Sequence, residues 1–116
     1  MKRQLAEKSG RDGERRAAIW LKLKGWSILA ERRKTPLGEV DLIARRGNVV
    51  AFIEVKWRKR KADLDHAIDE YRLQRVAAAA ESIAHEYATK GEDIRIDVML
   101  LAPGAFPRHI VNAWQP

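Results

Sequence analysis

Apolar and polar positions follow a helical period in two stretches of the chain and a period of two in the stretches between them. From about Gly13 to Lys24, residues Glu14, Ala17, Ala18 and Leu21 fall at i, i+3, i+4 and i+7, a single helical face. Arg15, Arg16, Lys22 and Lys24 lie off that face, and Gly25 follows as a C-terminal stop. Trp26 to Arg33 predicts a first strand, and Thr35-Pro36-Leu37-Gly38 carries turn chemistry. Val40, Leu42 and Ala44 then alternate with Glu39, Asp41 and Ile43, and Val49, Ala51, Ile53 and Val55 alternate with Val50, Phe52, Glu54 and Lys56. These are two strands, joined by the hairpin signal Gly47-Asn48. The basic run Trp57-Arg58-Lys59-Arg60-Lys61 ends the third strand. A long helix is predicted from about Leu64 to Thr89, with Ile68, Val76, Ala79, Ala80, Ile83 and Tyr87 on its apolar face and Gly91 after its end. Ile94, Ile96, Val98 and Leu100 make a fourth strand, Pro103-Gly104 breaks it, and His109 to Trp114 reads as a short closing strand.

The predicted order is helix, three strands, helix, strand, strand. Short connections make strands one to three antiparallel, whereas the helix before strand four implies a right-handed crossover to a parallel neighbour. The expected fold class is therefore α/β, with a mixed central β-sheet flanked by helices. At 116 residues the chain has the size of one domain, residues 1–116. Its polar opening, Met1 to Asp12, holds Gly10 and is expected to be a flexible arm.

Composition narrows the functions. Lys and Arg number 23 against 16 Asp and Glu, a formal charge of +7, which favours a polyanionic partner, nucleic acid foremost. With no cysteine, thiol redox chemistry, disulfides and cysteine-bound zinc are excluded, as suits a reducing cytoplasm. No apolar run approaches a membrane span, and the start MKRQLAEKSGRDGERR lacks the hydrophobic segment of a secretory signal. A cytoplasmic protein with no membrane attachment is the expectation.

Chemistry concentrates between Gly38 and Arg60. Side chains two apart on a strand share a face roughly 7 Å apart, so Glu54 and Lys56 should stand together on the face that carries Val50 and Phe52. A charged pair thus continues an apolar stripe. Burying charge without compensation is costly, so this arrangement requires a bound cation, mutual pairing or an opening to water. Asp41, Glu54 and Lys56 form the pattern D, a short strand-turn-strand interval, then E-x-K. With Gly13-Glu14, GEVDLIA at Gly38 to Ala44, FIEVKWR at Phe52 to Arg58 and the late RIDVMLL strand, the chain resembles the PD-(D/E)xK nuclease superfamily over nearly its whole length. Within it, the chain resembles the small bacterial YraN-type family, which is similar to archaeal Holliday-junction resolvases.

That resemblance implies a restriction-endonuclease-like core, with Asp41 and Glu54 as metal ligands, Lys56 handling the attacking water and Glu14 adding an acid from the first helix. Hard oxygen ligands with open positions suit Mg²⁺ or Mn²⁺, and the backbone carbonyl of Val55 is a candidate third ligand. Trp57, Arg58, Lys59 and Arg60, with Arg72, Gln74 and Arg75 of the second helix, are the candidate nucleic-acid contacts. Two departures stand out. Val40 occupies the position of the superfamily's name-giving proline, which the YraN-type pattern also lacks, and Arg72 stands where that family often has lysine.

Each residue also has a plainer reading. Glu39 reads as a solvated or turn-capping acid, Glu14 as a first-turn acid favoured by the helix dipole, and Asp41, Glu54 and Lys56 as a structural ion-pair cluster. His66, His85 and His109 show no spacing that converges on a metal and read as surface or helix residues. Trp57 suits stacking on a base, whereas Trp20, Trp26 and Trp114 suit packing. Three functions compete: an endonuclease acting on branched or structured DNA, a non-cleaving nucleic-acid adaptor, and a basic structural protein such as a ribosome-associated one. Binding alone gains nothing from acids that repel phosphate, which favours the first. A resolvase-like activity further implies a homodimer, because two symmetric cuts call for two matching sites.

Overall fold

A computed structural model of the chain describes residues 2–60 and 69–115, with side chains from residue 11 onward. Its elements are α1 (Lys2–Leu23), β1 (Ser27–Thr35), β2 (Gly38–Arg46), β3 (Val49–Trp57), α2 (Glu70–Tyr87), β4 (Asp93–Leu101) and β5 (Arg108–Ile110). The strands form one sheet in the order β1-β2-β3-β4-β5. β1, β2 and β3 pair antiparallel, β3 pairs parallel to β4, and β4 pairs antiparallel to β5. The mixed α/β sheet expected from the pattern is present.

The two faces of the sheet carry separate apolar clusters. Ala17, Ala18 and Leu21 of α1 pack with Trp26, Leu42, Ala44, Ala51, Ile53 and Met99. Leu73, Val76, Ala79, Ala80 and Ile83 of α2 pack with Val40, Ile43, Val50, Phe52 and Val98. One helix therefore seals each face, and the central stretches Val49–Ile53 of β3 and Val98–Leu101 of β4 read as continuous apolar runs because both sides are covered. α1 ends in a Schellman turn: the amide of Trp26 donates to the Leu21 carbonyl at 2.9 Å, and Gly25 adopts φ 91°.

Three boundaries differ from the expectation. α1 begins at Lys2 rather than Gly13, so residues 2–12 are helical. An isolated glycine costs a helix only about 1 kcal/mol, and the good helix formers Glu7, Lys8, Arg11, Glu14, Arg15 and Arg16 flank Gly10 and Gly13. Gly13 serves packing instead of marking an end: a Cβ there would stand 3.4 Å from the Cβ of Trp57, so its absence brings α1 close against β3. α2 begins at Glu70, where Asp69 caps it by accepting from the amides of Tyr71 and Arg72. The start near Leu64 and the apolar role given to Ile68 lie outside the described residues, as do Lys61 and His66. The closing strand is the three-residue β5, shorter than His109 to Trp114, and Asn112 turns the chain at φ 52°.

Candidate active site

The irregularity of β2 makes the site. Its ladder with β3 runs from Arg46↔Val49 to Leu42↔Ile53 and stops there. Strict alternation would put Val40 with Leu42 and Ala44, yet Val40 packs on the α2 face while Leu42 and Ala44 pack on the α1 face. The change falls at Asp41. Where a backbone carbonyl would continue the ladder, Oδ2 of Asp41 accepts the amide of Val55 at 2.8 Å. The carboxylate is thereby fixed to β3 beside Glu54.

Asp41 and Glu54 line one cleft of about 350 Å³ with Gly38, Glu39, Asp69, Tyr71, Arg72, Arg75 and Val76. Oε1 of Glu54, itself buried, meets Nε of Arg72 at 3.1 Å and Nζ of Lys56 at 3.3 Å. The pairing of Glu54 with Lys56 follows the strand spacing. Glu14 reaches the same neighbourhood from α1 and meets Nε of Arg32 at 2.8 Å. Arg32 takes φ 52°, a conformation that side chains other than glycine rarely adopt. Gly38, at φ 151°, lets α2 pass the β1–β2 hairpin, with the Arg75 carbonyl 3.6 Å from where a Cβ would be.

The electrostatics follow from this crowding. Burial, then the charge of Glu54, push the Asp41 carboxyl from 3.8 up to about 7, against the lowering effect of the Val55 amide; Glu14 and Glu39 add smaller upward contributions. Burial also raises Glu14, partly offset by Arg32. Asp41 therefore sits in a field that a cation would relieve.

The donor chemistry fits a hard divalent cation, which needs only one or two carboxylates and leaves its other positions to water and phosphate. Asp41 and Glu54, side by side in the cleft, could supply those carboxylates. Among the described residues no group of three or more His, Cys, Asp and Glu side chains is arranged to hold a metal ion, and the Val55 carbonyl, on the residue whose amide Asp41 accepts, could add a backbone oxygen to the two carboxylates. A cation at Glu54 shares that carboxylate with Arg72 and Lys56.

Arg72 and Arg75 stand at the cleft, but Arg72 is engaged with Glu54 rather than free for phosphate. Gln74 faces a different groove, with Ala77, Ile94 and Trp114. Trp57 is packed: it joins the apolar cluster on the α1 face, and the Arg16 guanidinium covers its ring at 5.2 Å. Arg58 donates from its side chain to the Trp57 carbonyl and from its amide to that of Leu101, and Lys59 and Arg60 follow in a bend. Trp26 is buried, and Trp20 and Trp114 pack at the margins of the core.

Three residues at or beside the cleft escaped the sequence reading, and a fourth, Glu39, was placed there only as a solvated acid. Tyr71 is largely exposed at the cleft and carries no pattern signal, because one aromatic on the polar side of a helix looks like any surface residue. Asp69 was legible in principle as a helix cap. Arg32 had no signal beyond its charge. Glu39 is exposed, as its solvated reading requires, yet it lines the cleft with Asp41. His109 is also corrected: it is a half-buried residue of β5, neither helical nor fully exposed, and its Nε2 lies 2.7 Å from Oδ2 of Asp97, a fully buried acid that also accepts from Arg95 and the Asn112 amide. Burial alone pushes Asp97 up, yet bonds from His109, Arg95 and Asn112 outweigh it and hold the carboxyl below its usual range.

The model of the Uncharacterised protein family UPF0102 matches residues 13–101. The chain belongs to this family. UPF0102 proteins of Erythrobacter litoralis and Sphingopyxis alaskensis are 78% and 65% identical to it, each over all of both chains. One from Paramagnetospirillum magneticum is 45% identical over 97% of this chain and 91% of its own. This UPF0102 chain also shares its fold with Hjc, a Holliday junction resolvase from Archaeoglobus fulgidus, at a TM-score of 0.60 and 20% identity over 87% of this chain and 75% of that one. The fold is thus restriction-endonuclease-like, the nuclease-like architecture that the GEVDLIA and FIEVK words imply. Among the described residues no helix is long and apolar enough to cross a membrane.

Proposed function

We propose that this UPF0102 chain is a divalent-metal-dependent endonuclease that hydrolyses phosphodiesters in branched or otherwise structured DNA. The observation that carries the reading is the parting of β2 and β3 at Asp41, which sets Asp41 and Glu54 into one cleft with Lys56 3.3 Å from Glu54. In this reading Asp41 and Glu54, with the Val55 carbonyl, hold Mg²⁺ or Mn²⁺. When bound, the cation polarises the phosphodiester and makes water a competent nucleophile near neutral pH. Lys56 orients the attacking water and stabilises negative charge developing on the phosphate. Glu14, restrained by Arg32, adds an acid at the margin. Arg75 and the basic run Arg58 to Arg60 hold flanking phosphates, and Arg72 exchanges Glu54 for phosphate when substrate enters.

The shared fold with an archaeal resolvase favours branched DNA over ordinary duplex and, with it, a twofold dimer acting in the cytoplasm. The direct test is cleavage of labelled four-way junctions, flaps, nicked duplex, plain duplex and RNA, with and without Mg²⁺. Cleavage should require the cation and be lost in Lys56→Ala while DNA affinity largely remains. One observation favours a second reading: Arg72 and Lys56 already neutralise Glu54, as in a non-cleaving adaptor. Cation-independent DNA binding with no cleavage on any substrate would support that adaptor.

A further inference from the structure

The outer side of α1 is unusual for a surface helix. Ile19 and Leu23, one turn apart, are 52% and 76% exposed. Trp20, between them, contacts Phe106 with ring centroids 5.8 Å apart. Phe106 itself is 84% exposed, carried by the loop between β4 and β5. Single exposed apolar residues need no explanation, but a contiguous group of large ones marks an interaction surface. Helical spacing makes Leu23 a neighbour of both Ile19 and Trp20, and the ring contact joins Phe106 to them. The patch is on the α1 side of the sheet, whereas the Asp41–Glu54 cleft is lined from α2.

The charges around the patch decide its occupant. From Arg15 to Lys24 every charged residue is basic: Arg15, Arg16, Lys22 and Lys24. Lys24 holds its ammonium 4.7 Å from the Trp20 ring centroid. The loop that carries Phe106, residues 102–107, has no charge at all. A second copy would set one basic rim against another, which like-charge repulsion opposes. Nucleic acid would suit the rim, but only Phe106 leaves an aromatic ring exposed for a base, since Ile19 and Leu23 are aliphatic and Lys24 already covers Trp20. An acidic protein segment meets both demands.

We propose that the Ile19–Trp20–Leu23–Phe106 surface docks a peptide segment of a partner protein in which Asp or Glu residues flank an apolar anchor such as Phe or Leu. The anchor fills the space between Leu23 and Phe106, and its acids meet Lys22 and Lys24. Because this surface and the cleft are on opposite faces of the sheet, the partner recruits the protein without covering the cleft.

The test pans a display library of short random peptides on the full-length protein, with a Leu23→Gln, Phe106→Ser double variant as counter-selection. Both positions are exposed, so folding is retained, which circular dichroism and a urea melt verify. Peptides enriched on the wild type should combine acids with an apolar anchor, and a synthetic representative should lose about tenfold or more in affinity on the double variant. Raising salt should weaken it as well. Failure to enrich any peptide that distinguishes the two proteins overturns the proposal, as does enrichment of neutral or basic sequences. So does oligo-dT binding that depends on Leu23 and Phe106, or a wild-type dimer in sedimentation that the double variant breaks.

Discussion

Asp41→Asn should make the cation-free protein more stable, and increasingly so as pH rises. Burial and Glu54 raise the Asp41 carboxyl from 3.8 to about 7. A carboxyl raised on folding binds its proton more tightly in the folded state, so its stabilising contribution is full below the unfolded value and is lost as pH rises through about 7. Between about pH 5 and pH 8, the wild type should lose on the order of 2 to 3 kcal/mol through this one group. Asparagine does not ionise, and its side-chain oxygen still accepts the Val55 amide, so the variant escapes that loss. Urea unfolding in EDTA at both pH values, on both proteins, reads the difference directly. The variant's advantage should grow by about that amount at the higher pH with unchanged m-values. An advantage that stays constant or shrinks would refute the assignment of Asp41 to a crowded, acid-repelling position.

Other predictions follow from the same geometry. Asp97→Ala should destabilise the fold by about 3 to 5 kcal/mol, since it leaves Arg95 and His109 without their buried partner; urea melts measure it. Because Asp97 is held below its usual range, its contribution is present above the unfolded value and lost as pH falls through the folded one, so wild type and variant should converge in acid. Arg72→Ala should cost under about 1 kcal/mol of stability, because its side chain is 59% exposed. Gly13→Ala should hold or gain up to about 1 kcal/mol from helix propensity, whereas Gly13→Leu should lose stability against Trp57; thermal melts distinguish them. DNA affinity should fall with salt at a log–log slope near −4 to −5 if about five phosphates are contacted, and a flat dependence would count against a nucleic-acid partner.

The order of elements along the chain and the direction of the first four strands were legible because period-two alternation and the lengths of the connections constrain them. The E-x-K pair was legible for the same reason: two positions on one strand face must meet. What alternation could not deliver was the break at Asp41, since Val40, Leu42 and Ala44 look regular in sequence but pack on different faces. Gly13 was misread because a glycine that allows close helix–strand approach has the same letter as one that ends a helix. The surroundings of Trp57, Gln74 and His109 were hidden by long-range packing: Arg16, the groove beside Trp114 and Asp97 are remote in sequence from the residues they meet. Charge counted along the chain likewise gave no sign that Arg72 would spend its guanidinium on Glu54.

The central claim is that Asp41 and Glu54 form one cation site that works on DNA with Lys56. Cleavage of a labelled four-way junction over a Mg²⁺ series, by wild type, Asp41→Asn, Glu54→Gln and Lys56→Ala, addresses it most directly. Mg²⁺ calorimetry accompanies each protein. The wild type should incise only with the cation, the Asp41 and Glu54 variants should lose both incision and cation heat, and Lys56→Ala should lose incision while retaining cation heat. Incision that persists in the Asp41 and Glu54 variants, or cation heat that all four proteins share, would contradict that claim.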